Sequence, residues 1–330
     1  MENFKTMMIF FKIMQLPSEV VRVERVKVED VKGEIGCDPF ERQVSILLEY
    51  GVINLNKPKG PTSHLVSDHV KKILGVNKAG HGGTLDPGVT GVLPVAIGRA
   101  TRIIQTILKG GKEYVAIMHL HEKVSEDKIK DVVKKFVGKI NQMPPVKSAV
   151  VRRVRTRKVY YIDILEINGQ DVLFKIGCEA GTYVRKICHD MGQELNVGAH
   201  MSELIRTKAG PFNYSDWVTL QDLEDAFYFW KEDGDEKELR RCILPPEVAI
   251  NHLPKIWVDD SCIVPLCHGS DLKVPGVIKL NDFNVEGLVA VMTLKNELIC
   301  IGQARMTSKA ILKEEKGLAV KVEKVFMKIF

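Results

Sequence analysis

The stretch from Gly80 to Thr101, GHGGTLDPGVTGVLPVAIGRAT, constrains the fold more than any other part of this 330-residue chain. It contains six glycines and two prolines but only one carboxylate, Asp86, which directly precedes Pro87. Glycine and proline favour tight turns, so Asp86 is predicted to lie in a loop with a fixed backbone. The apolar run from Val92 to Ile97 predicts a buried strand after that loop. A lone Asp before Pro is usually a turn former, so this pattern alone leaves a structural role open.

Residues 51–243 alternate between strand-like and helix-like patterns. A helix after Pro61 is predicted from a Thr62 or Ser63 cap, a periodic apolar face and a stop at Gly75. The dipeptide Asn168-Gly169 between two apolar runs predicts a hairpin. The further predicted strands and helices are 51–56, 92–97, 114–121, 160–167 and 172–178 as strands, and 100–108, 125–136, 182–195 and 219–243 as helices.

The two ends of the chain differ from this central region. From about Pro254 onward the sequence predicts short strands with turns, at 256–258, 287–293, 298–306 and 319–326, which is typical of a small all-β barrel. Residues 15–50 are charged and irregular, with one possible strand and a short helix near 41–49. We therefore predict an extension at 1–50 that docks on the C-terminal domain, a central domain at 51–250 and a barrel at 253–330.

A basic run follows Met143-Pro144-Pro145. From Pro144 to Ile162 there are six basic residues and no acidic one. A solvated surface is one explanation, but like charges this dense repel each other, so phosphate binding by Arg152, Arg153, Arg155 and Arg157 is favoured. The total formal charge of +6 is mild and matters less than this clustering.

Several function classes find no support in the sequence. The seven cysteines form no CxxC pair and are odd in number, which indicates reduced thiols and a cytoplasmic protein. His119 and His121 could share one face of a strand, but nothing nearby completes a metal site, and none is predicted. No apolar run approaches the ~20 residues of a membrane span. Residues 1–13 are expected to be an upstream mis-start before Met14.

Three residues are candidates for chemistry: Asp86 in the loop, Tyr114 at a strand start, and Arg185 within GTYVR. Each has an ordinary structural alternative: a turn former, a packing residue and a surface residue. No dinucleotide fingerprint or Walker loop competes with them, since GxxxxGK[ST] is absent.

Four motifs, in order, resemble those of TruB-type pseudouridine synthases. HGGTLDPGVTGVLPVAIGRAT resembles the family's central motif, and VINLNKPKGPTS resembles its first. KEYVA and GTYVRKICHD resemble its tyrosine and arginine motifs. The resemblance covers roughly residues 50–250, and the C-terminal barrel resembles a PUA domain. The combination with the extension is similar to the archaeal relatives of dyskerin, which act in box H/ACA guide-RNA particles.

The resemblance implies an α+β fold, with a mixed, mainly antiparallel sheet flanked by helices, followed by a PUA β-barrel. It implies isomerisation of uridine to pseudouridine in rRNA under a guide RNA, and in tRNA at U55. Such an isomerisation requires no redox cofactor, metal or ATP. Two alternatives stay open: a stand-alone tRNA synthase that needs no guide, and a non-catalytic RNA-binding scaffold.

The resemblance also implies roles for single residues. Asp86 is the essential carboxylate, acting on ribose as a nucleophile or as a base, and it is expected to be buried. Arg185 supplies the opposing charge, and Tyr114 stacks on the uracil and serves proton transfer. His81 holds the RNA open, and a second group contributes pocket-wall and RNA contacts: Tyr183, Leu204 and Lys57, with Lys57 and Pro58 bracing the Tyr114 strand.

Partners are expected from the resemblance alone. They are a box H/ACA guide RNA, an rRNA or tRNA substrate, and three proteins of the particle. One small protein would cover the catalytic domain, one would bind near the loop at 141–158, and a kink-turn-binding protein would join through the RNA. No membrane partner is expected.

Overall fold

The computed structural model describes residues 15–144 and 151–328, which form two compact units. The first unit contains residues 15–19 and the chain from Gly51 to Ile243. The second contains the chain from Val20 to Tyr50 and from Leu244 onward. Within the described residues, no helix is long and apolar enough to cross a bilayer.

The first unit is built on a nine-stranded sheet. Its main path runs β2-β4-β9-β5-β8-β7-β6, with β3 paired to β4 and β10 paired to β9. Most neighbours are antiparallel, but β4 and β9 run parallel. The strands are β2 (Tyr50–Lys57), β3 (Ala79–His81), β4 (Thr90–Gly98), β5 (Lys112–Leu120), β6 (Gly138–Gln142), β7 (Arg155–Asn168), β8 (Asp171–Cys178), β9 (Ala199–Ala209) and β10 (Phe212–Asn213).

Helices flank this sheet and are bounded by ordinary cap chemistry. The Thr62 hydroxyl accepts a hydrogen bond from the Leu65 amide at the start of α2, and Gly75 ends that helix in the left-handed region. A capping box between Thr219 and Asp222 begins α6. The helices of this unit are α2 (Ser63–Leu74), α3 (Ile104–Lys109), α4 (Glu126–Lys135), α5 (Val184–Glu194), α6 (Leu220–Asp233) and α7 (Lys237–Cys242).

The second unit is a seven-stranded sheet in the order β1-β13-β11-β14-β15-β16-β12. Its strands are β1 (Glu24–Val26), β11 (Lys255–Val258), β12 (Leu272–Lys273), β13 (Val277–Asn281), β14 (Leu288–Met292), β15 (Leu298–Ala304) and β16 (Leu318–Val325), and its helices are α1 (Val44–Glu49), α8 (Ile263–Cys267) and α9 (Ser308–Lys313). The sequence analysis missed β13, a short apolar strand that pairs with both β1 and β11. The expected fold class, a mainly antiparallel sheet with helices and a separate β domain, is confirmed.

The N-terminal segment divides between the two units. Arg42 is buried and donates hydrogen bonds to Glu247 at 2.7 and 2.8 Å and to Glu297 at 3.0 Å, all within the second unit. Residues 15–19 instead belong to the first unit, which corrects the single extension expected at 1–50. Leu16 is fully buried there, and Lys208 Nζ donates to the Glu19 carboxylate at 2.5 Å.

Candidate active site

The backbone on both sides of Asp86 is anchored by residues from the β2–α2 region. The Ser63 hydroxyl accepts a hydrogen bond from the Leu85 amide at 2.8 Å and donates to the Leu85 carbonyl at 3.1 Å. On the other side, the Pro87 carbonyl accepts from the Gly60 amide at 2.8 Å and from Lys57 Nζ at 3.2 Å. The loop therefore has a defined conformation at its one carboxylate, as the glycine and proline pattern predicts.

Arg185 comes from the first turn of α5 and reaches Asp86 across 99 residues of sequence. Its Nη2 contacts the Asp86 Oδ2 directly. Both side chains are about half exposed, 56% for Asp86 and 53% for Arg185. The expectation of a buried Asp86 is therefore wrong, because the loop presents the carboxylate to solvent with the guanidinium beside it.

Tyr114 lies on β5, opposite Arg206 of β9, and it is 9% exposed. The Arg206 guanidinium lies close enough for its charge to act on the Tyr114 phenol. Burial raises the pKa of the Tyr114 phenol, while the Arg206 charge opposes that rise. The phenol is therefore protonated at neutral pH. It can hydrogen-bond or relay a proton, but it is not present as the basic phenolate.

Arg206 is a site residue that the sequence analysis did not single out. The residue is 1% exposed, and its guanidinium donates from Nε to the Val92 carbonyl at 2.7 Å and from Nη2 to the Gly83 carbonyl at 3.0 Å. These two hydrogen bonds tie the Asp86 loop and strand β4 to β9. The only sequence signal was a basic residue directly after the apolar pair Leu204-Ile205.

Close approach of β4 to β9 depends on Gly91. Its φ is +107°, and a Cβ there would lie 2.2 Å from the Arg206 carbonyl oxygen. No other residue fits at this position without moving the backbone of one strand. The glycine thus allows the parallel pairing that brings Arg206 next to the loop that carries Asp86.

Lys57 is another buried cation, and its expected role as an RNA contact is wrong. It has no exposed surface, and its ammonium donates to the carbonyls of Pro58, Pro87 and Val89 at 2.8, 3.2 and 2.9 Å. It braces the loop that carries Asp86 rather than the Tyr114 strand. Burial, with a smaller effect of the Arg206 charge, lowers its pKa.

Lys112, two residues before Tyr114 on β5, is buried in a similar way. Its ammonium donates to the carbonyls of Ile107 at 2.9 Å and Gly110 at 2.8 Å. Burial and the neighbouring Arg206 charge lower its pKa to about 7. Three buried cations therefore lie around the loop and are stabilised by backbone carbonyl dipoles.

The remaining predicted pocket residues lie on the surrounding elements. His81 ends β3 and is half-buried, and burial, followed by the charges of Arg206 and His64, lowers its pKa. A neutral imidazole can donate and accept, which suits contact with a base. Tyr183 directly precedes α5 as its N-cap residue, and its backbone exchanges hydrogen bonds with the Gln142 side-chain amide at 3.0 and 3.1 Å. Leu204 lies on β9 opposite Ala116 and packs against the main core.

The described part of the basic run leads toward the same region. Arg152 and Arg153 are exposed, while Arg155 and Arg157 begin β7 and are half-buried. Arg157 Nε donates to the Gly181 carbonyl at 3.3 Å, two residues before Tyr183. Residues 145–150 of the predicted loop lie outside the described residues.

The histidines and cysteines for which no catalytic role is predicted have defined neighbours. His119 Nδ1 lies 2.7 Å from Asp171 Oδ1, and His121 Nε2 lies 3.1 Å from His200 Nδ1. In the described part of the chain, no group of three or more such side chains is arranged to hold a metal ion. All seven cysteines are free thiols, and four of them are buried.

Four family models match consecutive parts of the chain. "TruB family pseudouridylate synthase (N terminal domain)" matches residues 71–127 and 121–184, and "tRNA pseudouridylate synthase B C-terminal domain" matches 185–251. A PUA domain matches 254–326, and a DKCLD (NUC011) domain matches 24–67. The matches include the loop, both strands of the Tyr114–Arg206 pair and α5.

Similar proteins cover nearly the whole chain. A probable tRNA pseudouridine synthase B of Pyrococcus horikoshii is 57% identical over 94% of this chain and 95% of its own length. One of Methanopyrus kandleri is 51% identical over 95% and 93%. Among solved structures, a chain of a Cbf5-Nop10-Gar1 complex has a TM-score of 0.91 at 54% identity, covering 96% of this chain and 97% of its own. A chain of an H/ACA RNP bound to a substrate RNA containing 2'-deoxyuridine has a TM-score of 0.89 at 52% identity, covering 95% and 97%.

Proposed function

The chain belongs to the TruB family of pseudouridylate synthases, and we propose that it isomerises uridine in RNA that a box H/ACA guide delivers to Asp86. One observation supports the guided form most directly. The near-complete match to Cbf5 of a Cbf5-Nop10-Gar1 complex includes the extension and the PUA domain as well as the catalytic core.

The reaction breaks the bond from ribose C1′ to uracil N1 and forms a bond from C1′ to C5. The C5 proton is lost and N1 gains a proton, so atoms and electrons balance without a further reactant. In this chain, the Asp86 carboxylate attacks C1′ or removes a ribose proton. The adjacent Arg185 guanidinium favours the ionised carboxylate that either step requires. Tyr114 positions the base and relays the proton at C5, and Arg206, which lies opposite it on β9, positions Tyr114.

The contact between Arg185 and Asp86 can be tested by exchanging the cation. Arg185→Lys keeps the charge but loses the planar fork that orients the carboxylate. We expect turnover to fall by about 10²-fold. Folding stability should change by less than about 1 kcal/mol, since the pair is half exposed. Single-turnover assays and denaturant unfolding measure the two effects.

Arg241→Lys is the matched control for that variant, because Arg241 is 52% exposed and also pairs with a carboxylate, that of Glu238. It should leave turnover unchanged. Normal turnover of Arg185→Lys would remove Arg185 from the proposed catalytic group.

RNA delivery is assigned to the basic run, because one of its arginines, Arg157, donates to the Gly181 carbonyl close to Tyr183. Phosphate contacts release counterions, so each lost contact reduces the salt dependence of binding. Changing all four arginines to glutamine should reduce the slope of log Kd against log salt by about 3. The arginines are Arg152, Arg153, Arg155 and Arg157.

The control for this quadruple variant removes the same charge from cations that already have carboxylate partners. These are Lys130, Lys134, Lys135 and Arg240. Their neutralisation should leave the slope nearly unchanged. An equal change of the slope in both variants would show that only the net charge of the protein matters. The basic run would then be a solvated surface without a specific role in RNA binding.

A second function, guide-free modification of tRNA at U55, is supported by the names of the similar archaeal proteins. Release of tritium from 5-³H-uridine RNA distinguishes the two functions. Turnover of an rRNA target only with its guide supports the guided form, whereas turnover of a tRNA transcript without guide supports the second. Absence of release from both would favour a scaffold.

From the similarity to the solved complexes, we propose that the chain assembles with counterparts of Nop10 and Gar1 and with a guide RNA. A kink-turn-binding protein would join through the RNA. A cytoplasmic location is proposed with this assembly.

A further inference from the structure

Glu113, next to Tyr114 on β5, is a buried carboxylate that takes part in no step of the proposed reaction. Its Oε1 accepts a hydrogen bond from the Thr207 hydroxyl at 2.8 Å, and its Oε2 accepts one from the Tyr161 phenol at 2.5 Å. The Lys208 ammonium lies 3.4 Å from Oε2 and supplies the opposing charge. Burial of a carboxylate is costly unless it is paired and hydrogen-bonded, so these donors from two other strands are what allows Glu113 to be buried here.

Tyr161 reaches Glu113 across strand β8. The pairing of the sheet places Glu113, Gly177 and Tyr161 in one row of β5, β8 and β7. The Tyr161 ring covers Gly177, where a Cβ would lie 2.3 Å from the ring. The glycine therefore leaves the space through which the phenol reaches a carboxylate two strands away. Burial, followed by the hydrogen bond to Glu113, raises the pKa of the Tyr161 phenol, so it remains a donor.

On the other side of β5, the register with β9 shifts next to Glu113. Glu113 pairs with Lys208. The following residue, Tyr114, pairs with Arg206, so Thr207 is an extra residue of β9. Strand β5 pairs regularly with β8 over the same residues, which assigns the irregularity to β9. A bulge of this kind changes where the neighbouring side chains lie, and here it places Arg206 opposite Tyr114.

The extra residue is also the one whose hydroxyl donates to Glu113, so the carboxylate holds the bulge from within β5. We propose that Glu113 is a positioning residue for the proposed reaction: it fixes the bulge at Thr207, and the bulge keeps Arg206 opposite Tyr114. Neighbouring residues of a strand point to opposite faces, so Glu113 acts through the strands rather than on the uracil. This inference rests on the proposed function, which gives Tyr114 its role.

Glu113→Gln tests the proposal, because an amide cannot accept hydrogen bonds at both of its ends. We expect kcat for tritium release from RNA to fall about tenfold, since Tyr114 and Arg206 lose their alignment. KM should stay within about twofold of the wild-type value, because no RNA contact is removed. Thr207→Val removes only the hydrogen bond at 2.8 Å and should lower kcat in the same way. It decides the question if Glu113→Gln does not fold.

A second measurement is independent of turnover. The ring resonance of Tyr114 in the full chain with ¹³C-labelled tyrosine, identified by its loss in Tyr114→Phe, should shift in both variants. Thr106→Val is the matched control, since Thr106 is also buried and its hydroxyl donates to the Ile103 carbonyl at 2.7 Å. It should leave kcat and the Tyr114 resonance unchanged.

The proposal stands only if kcat falls and the Tyr114 resonance shifts in Thr207→Val, while neither changes in the control. A raised KM at unchanged kcat would overturn it, because the loss would then be one of RNA binding. A lower kcat with the resonance in its wild-type place would overturn it as well. If the wild type releases no tritium from RNA, the proposed function fails, and the Tyr114 resonance alone decides whether Glu113 aligns this residue.

Discussion

Replacing Asp86 with asparagine is expected to lower pseudouridine formation by more than about 10⁴-fold. The amide matches the carboxylate in size but can neither attack C1′ nor accept a ribose proton. The loop should keep its conformation, because its anchors are Ser63, Lys57 and the Gly60 amide rather than the Asp86 side chain. Loss of the half-exposed contact with Arg185 should cost less than about 1 kcal/mol.

Three measurements check this result: tritium release, RNA affinity and the free energy of unfolding. RNA affinity and stability should stay near the wild-type values. Asp131→Asn is the control, because Asp131 is 72% exposed and accepts a hydrogen bond from Lys134 at 3.0 Å. Turnover by Asp86→Asn within tenfold of the wild type would show that another group performs the first step.

Replacing Arg206 with methionine is expected to affect both stability and turnover. The change leaves the carbonyls of Val92 and Gly83 without their buried donor and removes the charge next to the Tyr114 phenol. Unsatisfied buried groups cost about 1–3 kcal/mol each, and removal of the buried charge offsets part of that cost. We expect a net loss of about 3 kcal/mol in the free energy of unfolding. Turnover should fall about 10²-fold because Tyr114 and the loop lose their alignment.

Two further variants separate charge from geometry. Arg206→Lys keeps the charge but cannot match the planar fork toward both carbonyls, so its turnover should also remain low. Arg241→Met removes a half-exposed arginine and should change stability by less than about 0.5 kcal/mol. If Arg206→Met folds and turns over like the wild type, Arg206 does not position Tyr114.

Local sequence patterns predicted much of the fold and the elements of the site. The glycine-rich loop, the cap at Thr62, the stop at Gly75 and the strand after Asp86 all follow from residues close together in sequence. The motifs also indicated Asp86, Tyr114 and Arg185, and the structure brings Asp86 and Arg185 into contact. The catalytic roles of the three residues remain predictions.

The features that sequence analysis missed depend on contacts between distant segments. Arg206 is buried because β9 lies between β4 and β5, where it pairs with Gly91 and Tyr114, 115 and 92 positions away in sequence. Lys57 resembles a surface lysine in sequence, yet two of its three acceptors lie 30 and 32 residues away. Residues 15–19 belong to the first unit, where the Glu19 carboxylate accepts a hydrogen bond from Lys208, 189 residues away. No local pattern encodes these distances.

The anchors of the Asp86 loop have a consequence for how such an enzyme acquires new targets. The loop is held by the protein's own side chains, from Ser63 on one side and Lys57 on the other. Its conformation therefore requires no information from the RNA that arrives. In the proposed guided form, a new modification position needs only a new guide gene, while the protein sequence stays unchanged. The catalytic loop is thus encoded by the gene of the protein, while the position that it modifies is encoded by the gene of the guide RNA.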